Sequence, residues 1–515
     1  MALLQAKLPN RRVAFVLALF GVAYGLLSLV NHYLFRTYTY DLGIYNQALW
    51  DYAHLRLNAN SVIRYNNLFS DHLTLVQLFW GPLYWLFGSY TLMLVQIGLM
   101  LLGGFGAYRL HVLRTQGAQP GAALALLVLF LSTWGIYSAL AFDYHDNVVA
   151  AMLLPWLLYY LEADRRGRAT VVALLMTMSK ENMALWVVFI GLGLAALHWR
   201  EPARRRWALL VAGGAGLYFV LVVKVIIPAL GSGHPYLYQG QYAVLGTTPG
   251  EMLHTVFTRP LYLLKVLFTN HLDTPGGDYV KTELHKMVLL SGGLALLRRP
   301  GYLLMLAPIY GQKLLSSSIQ HWGINYQYSI EFVPVIHAAL SAWLVKSKPQ
   351  QATILAAGAA AIAIIATVDS MQERLSPYYD EAATNIFSGR HYHVDFDAAA
   401  VHRGLATIPA TARVSATSAV VPHLAARAFI YPYPYVADAD YIVALQHASI
   451  YPVSEAELDA QLADYQANGL WEVALEQGPL RILRRVQPLP EPTKRFFRYR
   501  ADGKEAQADP VSAVD

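Results

Sequence analysis

A few ionisable residues stand where an otherwise apolar chain leaves its hydrophobic runs. Asp41 is the first, alone among tyrosines in RTYTYDLGIYNQALW. Asp71 and His72 follow in FSDHLTL, and FDYHDN sets Asp143, His145 and Asp146 together. MSKENMAL places Lys180 beside Glu181, and IQHWGINYQYSIEF carries His321, Tyr326, Tyr328 and Glu331. Lys224 and Lys313 lie within apolar runs. Carboxylates can take a proton from a hydroxyl or hold a metal, and lysine binds phosphate as a point charge. Together they could run a transfer at an activated carbon: an acid deprotonates the attacking hydroxyl while cations stabilise a departing phosphate.

Each residue also has a local reading. Asp41 could cap the helix that follows it. His145 could pair with Asp146, and Lys180 with Glu181. His321, Tyr326 and Tyr328 could be aromatic anchors at a membrane surface. Lys224 could snorkel to that surface. These alternatives stay open at the level of sequence.

The elements that position them are membrane elements. The 515 residues are 56% hydrophobic and only 14% charged, with mean hydropathy +0.35, where soluble domains carry about a quarter charged residues. Apolar runs of spanning length lie near 13–35, 90–113, 120–141, 147–161, 207–229, 327–345 and 351–369. Shorter runs near 169–180, 183–199, 284–297 and 302–316 bring the expected count to about eleven crossings. Lys7, Arg11 and Arg12 precede the first run, which lacks a small-residue cleavage site and reads as an uncleaved span. RRGR, REPARRR, LRRPG and KSK then fall on the same side, with Arg109 and Arg114. That bias assigns the N-terminus and those loops to the cytoplasm and every ionisable residue above to the outer half. Ionisable groups at membrane depth face a cavity or a partner, so one polar cavity is expected. HLTLVQLFWGPLYWLFG (72–88) and residues 249–268 read as helices lying on the outer surface, with Trp80, Tyr84 and Trp85 at headgroup depth.

The expected fold is an all-α polytopic bundle over 1–369, with outer loops and interfacial helices at 36–89 and 230–283. A small extracytoplasmic α/β domain follows over 370–487. In it, ARVSATSAVVPHLAARAFIYPYPYV, DYIVALQ and LWEVALEQGPLRILRR read as short strands, and SEAELDAQLADYQANG as a helix with Ser454 as N-cap and Gly469 past its end. Residues 488–515 are proline-rich and polar and read as a disordered tail. Cysteine is absent, which excludes disulfides and thiolate metal sites. No Walker A or Gly-x-Gly-x-x-Gly motif is present, and topology accounts for the arginines, so nothing points to a nucleic-acid partner. HYH (391–393) and HDN are weak as metal motifs; no metal site is assigned, and a divalent cation stays open as a cofactor.

YTYDLGIYNQALW, DHLTLVQLFWGPLYWLFG, FDYHDN, MSKENMAL, YSIEFVP and VSATSAVVPHLAARAFIYPYP resemble an uncharacterised family of bacterial predicted integral membrane proteins (domain of unknown function 2079). That family in turn resembles the GT-C glycosyltransferases, integral membrane enzymes that use polyprenyl-phosphate sugars. The resemblance implies a GT-C-like bundle in the cytoplasmic membrane, with a polyprenyl-phosphate-linked sugar and the lipid bilayer as partners. Asp41 matches the first-outer-loop acid that activates the acceptor, and Lys180 a position used near the donor phosphate. The Asp-x-Asp pair of some relatives is absent, Asp41 standing alone, so a metal requirement does not carry over. His72 and His145 are further candidates for the phosphate, beside Asp71, Asp143, Asp146, Glu181, His321, Tyr326, Tyr328 and Glu331 as lining of the cavity. The implied function is transfer of a sugar from a polyprenyl-phosphate donor to an acceptor on the outer face. A lipid-linked substrate transporter or flippase, and a non-catalytic lipid-binding scaffold, are the alternatives.

Overall fold

The computed structural model describes residues 10–56, 60–63, 67–231 and 236–486. The basic Lys7 and the expected tail at 488–515 lie outside the described residues. In chain order the main helices are α1 (Arg11–Tyr33), α2 (Ile44–Ala53), α3 (Thr91–Arg114), α4 (Pro120–Ser132), α5 (Trp134–Leu140), α6 (Asp146–Glu162), α7 (Arg166–Ser179), α8 (Glu181–Leu197) and α9 (Pro202–Leu221). They continue with α10 (Pro249–Thr258), α11 (Pro260–Val266), α12 (Val280–Leu290), α13 (Pro300–Leu314), α14 (Phe332–Leu344), α15 (Pro349–Gln372), α16 (Ala398–Leu405) and α17 (Glu455–Ala467). Among the described residues, five helical stretches are long and apolar enough to cross a membrane: Arg11–Tyr33, Gly81–Arg114, Pro120–Leu140, Pro202–Leu230 and Pro349–Gln372. The other apolar helices are shorter, such as α8 with 17 residues and α14 with 13.

Two expectations change. Residues 72–88 do not form one surface helix. Gly81, Pro82 and Gly88 break them into 3-10 turns at Leu75–Phe79, Gly81–Leu83 and Gly88–Tyr90, with one α-turn at Tyr84–Phe87. The second surface segment is likewise two helices, α10 and α11, because Pro260 cannot continue the first. Its first helix starts with a capping box, Thr248 and Glu251 each bonding the other's backbone.

The chain divides into two compact units. The first holds residues up to Leu27, Gln96–Val220 and Tyr238–Phe387. In it α4 packs along α15, α6 along α7, and α8 along α13. The α8–α13 pair approaches to backbone contact: a Cβ on Gly301 would lie 2.8 Å from the Gly193 carbonyl oxygen, so only glycine fits. Arg114, at the end of α3, donates to Glu162 of α6 at 2.6 Å, to the Tyr302 hydroxyl of α13 at 2.8 Å and to the Ala338 carbonyl of α14 at 2.8 Å. One guanidinium thus ties four helices.

The second unit holds Ser28–Val95, Leu221–Leu237 and the chain from Ser388 on. Its sheet has the order β2-β1-β3-β5-β4, from β1 (Val414–Ala416), β2 (Ile430–Pro432), β3 (Tyr441–Leu445), β4 (Trp471–Gln477) and β5 (Leu480–Arg485). β1 runs parallel to both β2 and β3; β5 is antiparallel to β3 and β4. Ser454 caps α17 as expected, in a capping box with Glu457, and Gly469 takes a left-handed φ of 72° after it. Leu458 and Leu462, one turn apart, bury against Tyr431, Tyr433, Ile442, Trp471 and Leu483. A histidine stack lies in the same unit. His423 lies 4.1 Å from His32, nearly parallel, 5.2 Å from His402 and 4.3 Å from Phe35. Burial, then the neighbouring His32 and His402, pull the His423 imidazole well below its ordinary value.

Two outcomes follow from these packings. Arg114→Met leaves Glu162 without its cation and should cost about 3 kcal/mol, read as a lowered Tm of the detergent-purified protein. His423 stays neutral in the folded unit while the unfolded chain takes up a proton below 6.5. Stability is therefore full above that value and falls as the pH drops, by up to about 1.4 kcal/mol per pH unit for one proton. In urea melts at pH 7 and pH 5, His423→Phe should shrink the difference.

Candidate functional site

The expected site residues fall into the two units. Asp41, Asp71 and His72 belong to the second, with Lys224, and the others to the first.

Asp41 sits, half-buried, in a π-helical turn, Thr39–Gly43. Thr39 fixes the turn, its backbone N–H donating to the Ser418 hydroxyl at 3.4 Å and its own hydroxyl to the Ser418 carbonyl at 3.2 Å. Gly43 lets Val421 close in: a Cβ there would lie 2.8 Å from Val421 Cγ1. The capping reading fails, since Gly43 is the N-cap of α2 and Asp41 stands inside the preceding turn. Asp71 ends a short helix, Leu68–Asp71, and its carboxylate is 3.9 Å from His72 Nε2. Lys224 is exposed in a π-turn, Val222–Ile226, as snorkelling requires.

In the first unit the residues converge. Gln96 of α3 organises the loop before α6: its amide donates to the Asp143 carbonyl at 3.0 Å and accepts from the His145 N–H at 3.0 Å. Asp146 opens α6, where the helix dipole favours a carboxylate, and accepts from the Tyr144 hydroxyl at 2.7 Å. The next residue, Asn147, donates to Glu331 Oε1 at 2.8 Å and to the Gln327 carbonyl at 3.2 Å. This joins the start of α6 to the start of α14.

Lys180 is the single extended residue between α7 and α8, with φ −162° and ψ 153°. It is half-buried, and its ammonium makes no hydrogen bond or ion pair among the described residues. Its charge acts on Glu331 and on His321. Glu181, fully buried, begins α8 and lies within electrostatic range of Tyr218. Lys313, 2% exposed near the end of α13, donates to the Gly323 carbonyl at 2.8 Å, and it too acts on Glu331 and His321. No ion pair within 4 Å joins Lys313 to Glu331 among the described residues. His321 shares a hydrogen with Ser316 at 2.7 Å and meets the Tyr328 ring edge-on at 4.4 Å. Burial, then the charges of Lys313 and Lys180, push its imidazole down to about 4. It is neutral at pH 7 and can offer a ligand a hydrogen bond, not a charge. Tyr326 meets Phe142 at 4.4 Å, and Phe142 stacks on His145 at 5.4 Å.

Asp146, Lys180, Glu181, Lys313 and Glu331 share one property. Each stands at the end of its helix remote from the basic runs at 114, 165–168, 200–206, 297–299 and 346–348. Among the described residues, no three His, Cys, Asp or Glu side chains converge to hold a metal ion. What the arrangement can do is bind an anion: two lysines whose ammonium donors are largely unspent, with a neutral imidazole and a hydroxyl beside them. Gln96, Asn147 and Ser316 carry no charge and gave no signal in the sequence. Lys313, a lone cation in an apolar run, did.

The chain belongs to the family described as "Predicted membrane protein (DUF2079)", whose model matches residues 31–477. It is a membrane protein. No curated protein matches it.

Asn147→Ala leaves Glu331 Oε1 buried without its donor and should cost about 1–3 kcal/mol, read as a lower Tm. Adding Glu331→Gln should recover part of the loss, because a neutral amide is cheaper to bury than a carboxylate.

Proposed function

We propose that the chain is a glycosyltransferase of a bacterial-type cytoplasmic membrane, taking its sugar from a polyprenyl-phosphate donor. The observation that carries the reading is Lys180, a half-buried ammonium with no partner among the described residues, whose charge acts on the same Glu331 and His321 as a second lysine that spends one donor on the protein. In an apolar bundle such cations are costly unless an anion completes them. A lipid phosphate, entering from the bilayer, is the anion at hand. The N-terminus then lies in the cytoplasm, the short helices cross as well, and the lysine cluster and the small sheet domain face outward, in keeping with the placement of the basic runs.

In this reading Lys180 and Lys313 hold the donor phosphate and stabilise it as it leaves. The acceptor oxygen forms a bond to the anomeric carbon, and the bond from that carbon to the phosphate oxygen breaks. The acceptor proton goes to Asp41, a role that rests on the resemblance to GT-C enzymes. The products are the glycosylated acceptor and polyprenyl phosphate. His321 and Ser316 add neutral hydrogen bonds to the phosphate.

The test supplies radiolabelled polyprenyl-phosphate hexose, with an extract of outer-face glycans as acceptor, to protein in nanodiscs. The wild type should release polyprenyl phosphate. Lys180→Met should weaken donor binding, and Asp41→Asn should keep binding but slow transfer by about a hundredfold or more. Tight binding with no cleavage by the wild type would make the protein a lipid-binding scaffold. Passage of intact donor across proteoliposomes would make it a transporter.

A further inference from the structure

Among the expected site residues, Tyr326 alone has a positive φ, 61°. A tyrosine there pays for its Cβ against the following carbonyl, a conformation that glycine takes without strain. The frame on both sides imposes it. Asn325 donates to the Pro377 carbonyl at 2.7 Å and accepts from Arg374 at 3.0 Å, and the Gln327 carbonyl accepts from Asn147. Asn325 and Gln327 are buried, and Tyr326 between them is half-exposed. Strained residues of this kind persist at ligand clamps, where the frame over-determines them.

The ring stands in a row that begins at a cation. The Lys313 ammonium is 6.0 Å from the Tyr328 ring centre. Tyr328 meets Tyr326 at 6.1 Å and 87°, and Phe142 lies 4.4 Å beyond, tilted by 56°. An aromatic face is electron-rich and attracts the polarised C–H bonds of an apolar ring face. A neutral pyranose presents such a face, and in a sugar phosphate it lies one ester bond from the anion.

We infer that Tyr326, with Phe142 beside it, is the platform for the sugar ring of the donor, and that its left-handed backbone is the means of presenting that ring. The inference rests on the proposed binding of a lipid phosphate by Lys180 and Lys313 and adds the group that reads the sugar. It makes the site selective for a neutral hexose over the bare phosphate.

Tyr326→Gly separates the ring from the fold, because glycine removes the side chain and suits the backbone. The probes are farnesyl phosphate and farnesyl phosphates bearing glucose, mannose or galactose, titrated against full-length protein in nanodiscs. The wild type should bind at least one hexosyl lipid more tightly than farnesyl phosphate. Tyr326→Gly should hold or raise the Tm and keep its affinity for farnesyl phosphate within about twofold. It should lose about tenfold toward the hexosyl lipid, the scale of losing one stacked ring. Tyr326→Phe should keep the hexose preference. A lower Tm with equal loss toward both lipids would make Tyr326 a structural residue and overturn the inference, as would an unchanged hexose preference. If the wild type binds neither lipid, the phosphate reading itself fails, whatever Tyr326 does.

Discussion

A guanidinium shielded from solvent sets the frame of the helical unit. Arg114 has a side chain 7% exposed, and its donors go to a carboxylate, a phenol and a backbone carbonyl on three further helices. Taking such a charge out of water costs several kcal/mol before any partner is found, so the group is tolerable only where its hydrogen bonds are met together. Meeting them brings the ends of α3 and α6 and the start of α13 to one level against the middle of α14. With those ends fixed, the start of α6, the end of α13 and the start of α14 share the opposite level, where Asn147 ties α6 to α14 and the lysine ammonium groups keep most of their donors. Saturation at one end is what permits a less saturated cluster at the other.

The lysines of this unit make the contrast concrete. Lys281, 1% exposed, spends its ammonium on the Val266 and Leu314 carbonyls and on His271, and lies 4.2 Å from the centre of the Trp322 ring. It is a structural cation that closes the C-terminal ends of α11 and α13, where helix dipoles favour positive charge. The Lys313 ammonium, on the same helix end, has one carbonyl, and the Lys180 ammonium has no bond among the described residues. An ammonium offers three donors. Identical side chains in one fold thus differ in how much bonding capacity they keep for something other than protein, and that difference marks the site better than burial does.

Hydropathy made the helices legible. The runs expected at 90–113, 302–316 and 351–369 are Thr91–Arg114, Pro300–Leu314 and Pro349–Gln372. Proline at N1 opens the second and third, and Arg114 closes the first. The strands of the small domain and its Ser454 cap were legible for the same kind of reason, a local pattern with a local cause. Residues 72–88 were not, because a windowed sum of hydrophobicity passes over Gly81, Pro82 and Gly88, which decide the backbone. Nor were Gln96, Asn147 and Ser316, which orient the charged residues of the cluster. A neutral side chain acquires such a role only when a distant segment packs beside it, as Glu331 does beside Asn147.

Composition also divides the chain near residue 370, whereas packing joins the first loop to the small domain. Arg36 donates to the carbonyls of Arg390, His391 and His393. Asn46 reaches the Pro422 carbonyl, Gln47 the carbonyls of Arg427 and Ala428, and the Ser61 hydroxyl both donates to and accepts from the Ile430 backbone. The Gln47 and Ser61 bonds satisfy backbone groups of β2 and the turn before it, and the Arg36 and Asn46 bonds those of a 3-10 turn at Gly389–Tyr392 and a short helix at Val421–Leu424. The polar side chains of the loop are therefore the lateral partners of a sheet too small to complete itself. Asp41 rides on that arrangement through Thr39 and Gly43. Its position is set by residues more than 370 places further along the chain, which is why a loop acid with an ordinary local sequence can be held to a defined place.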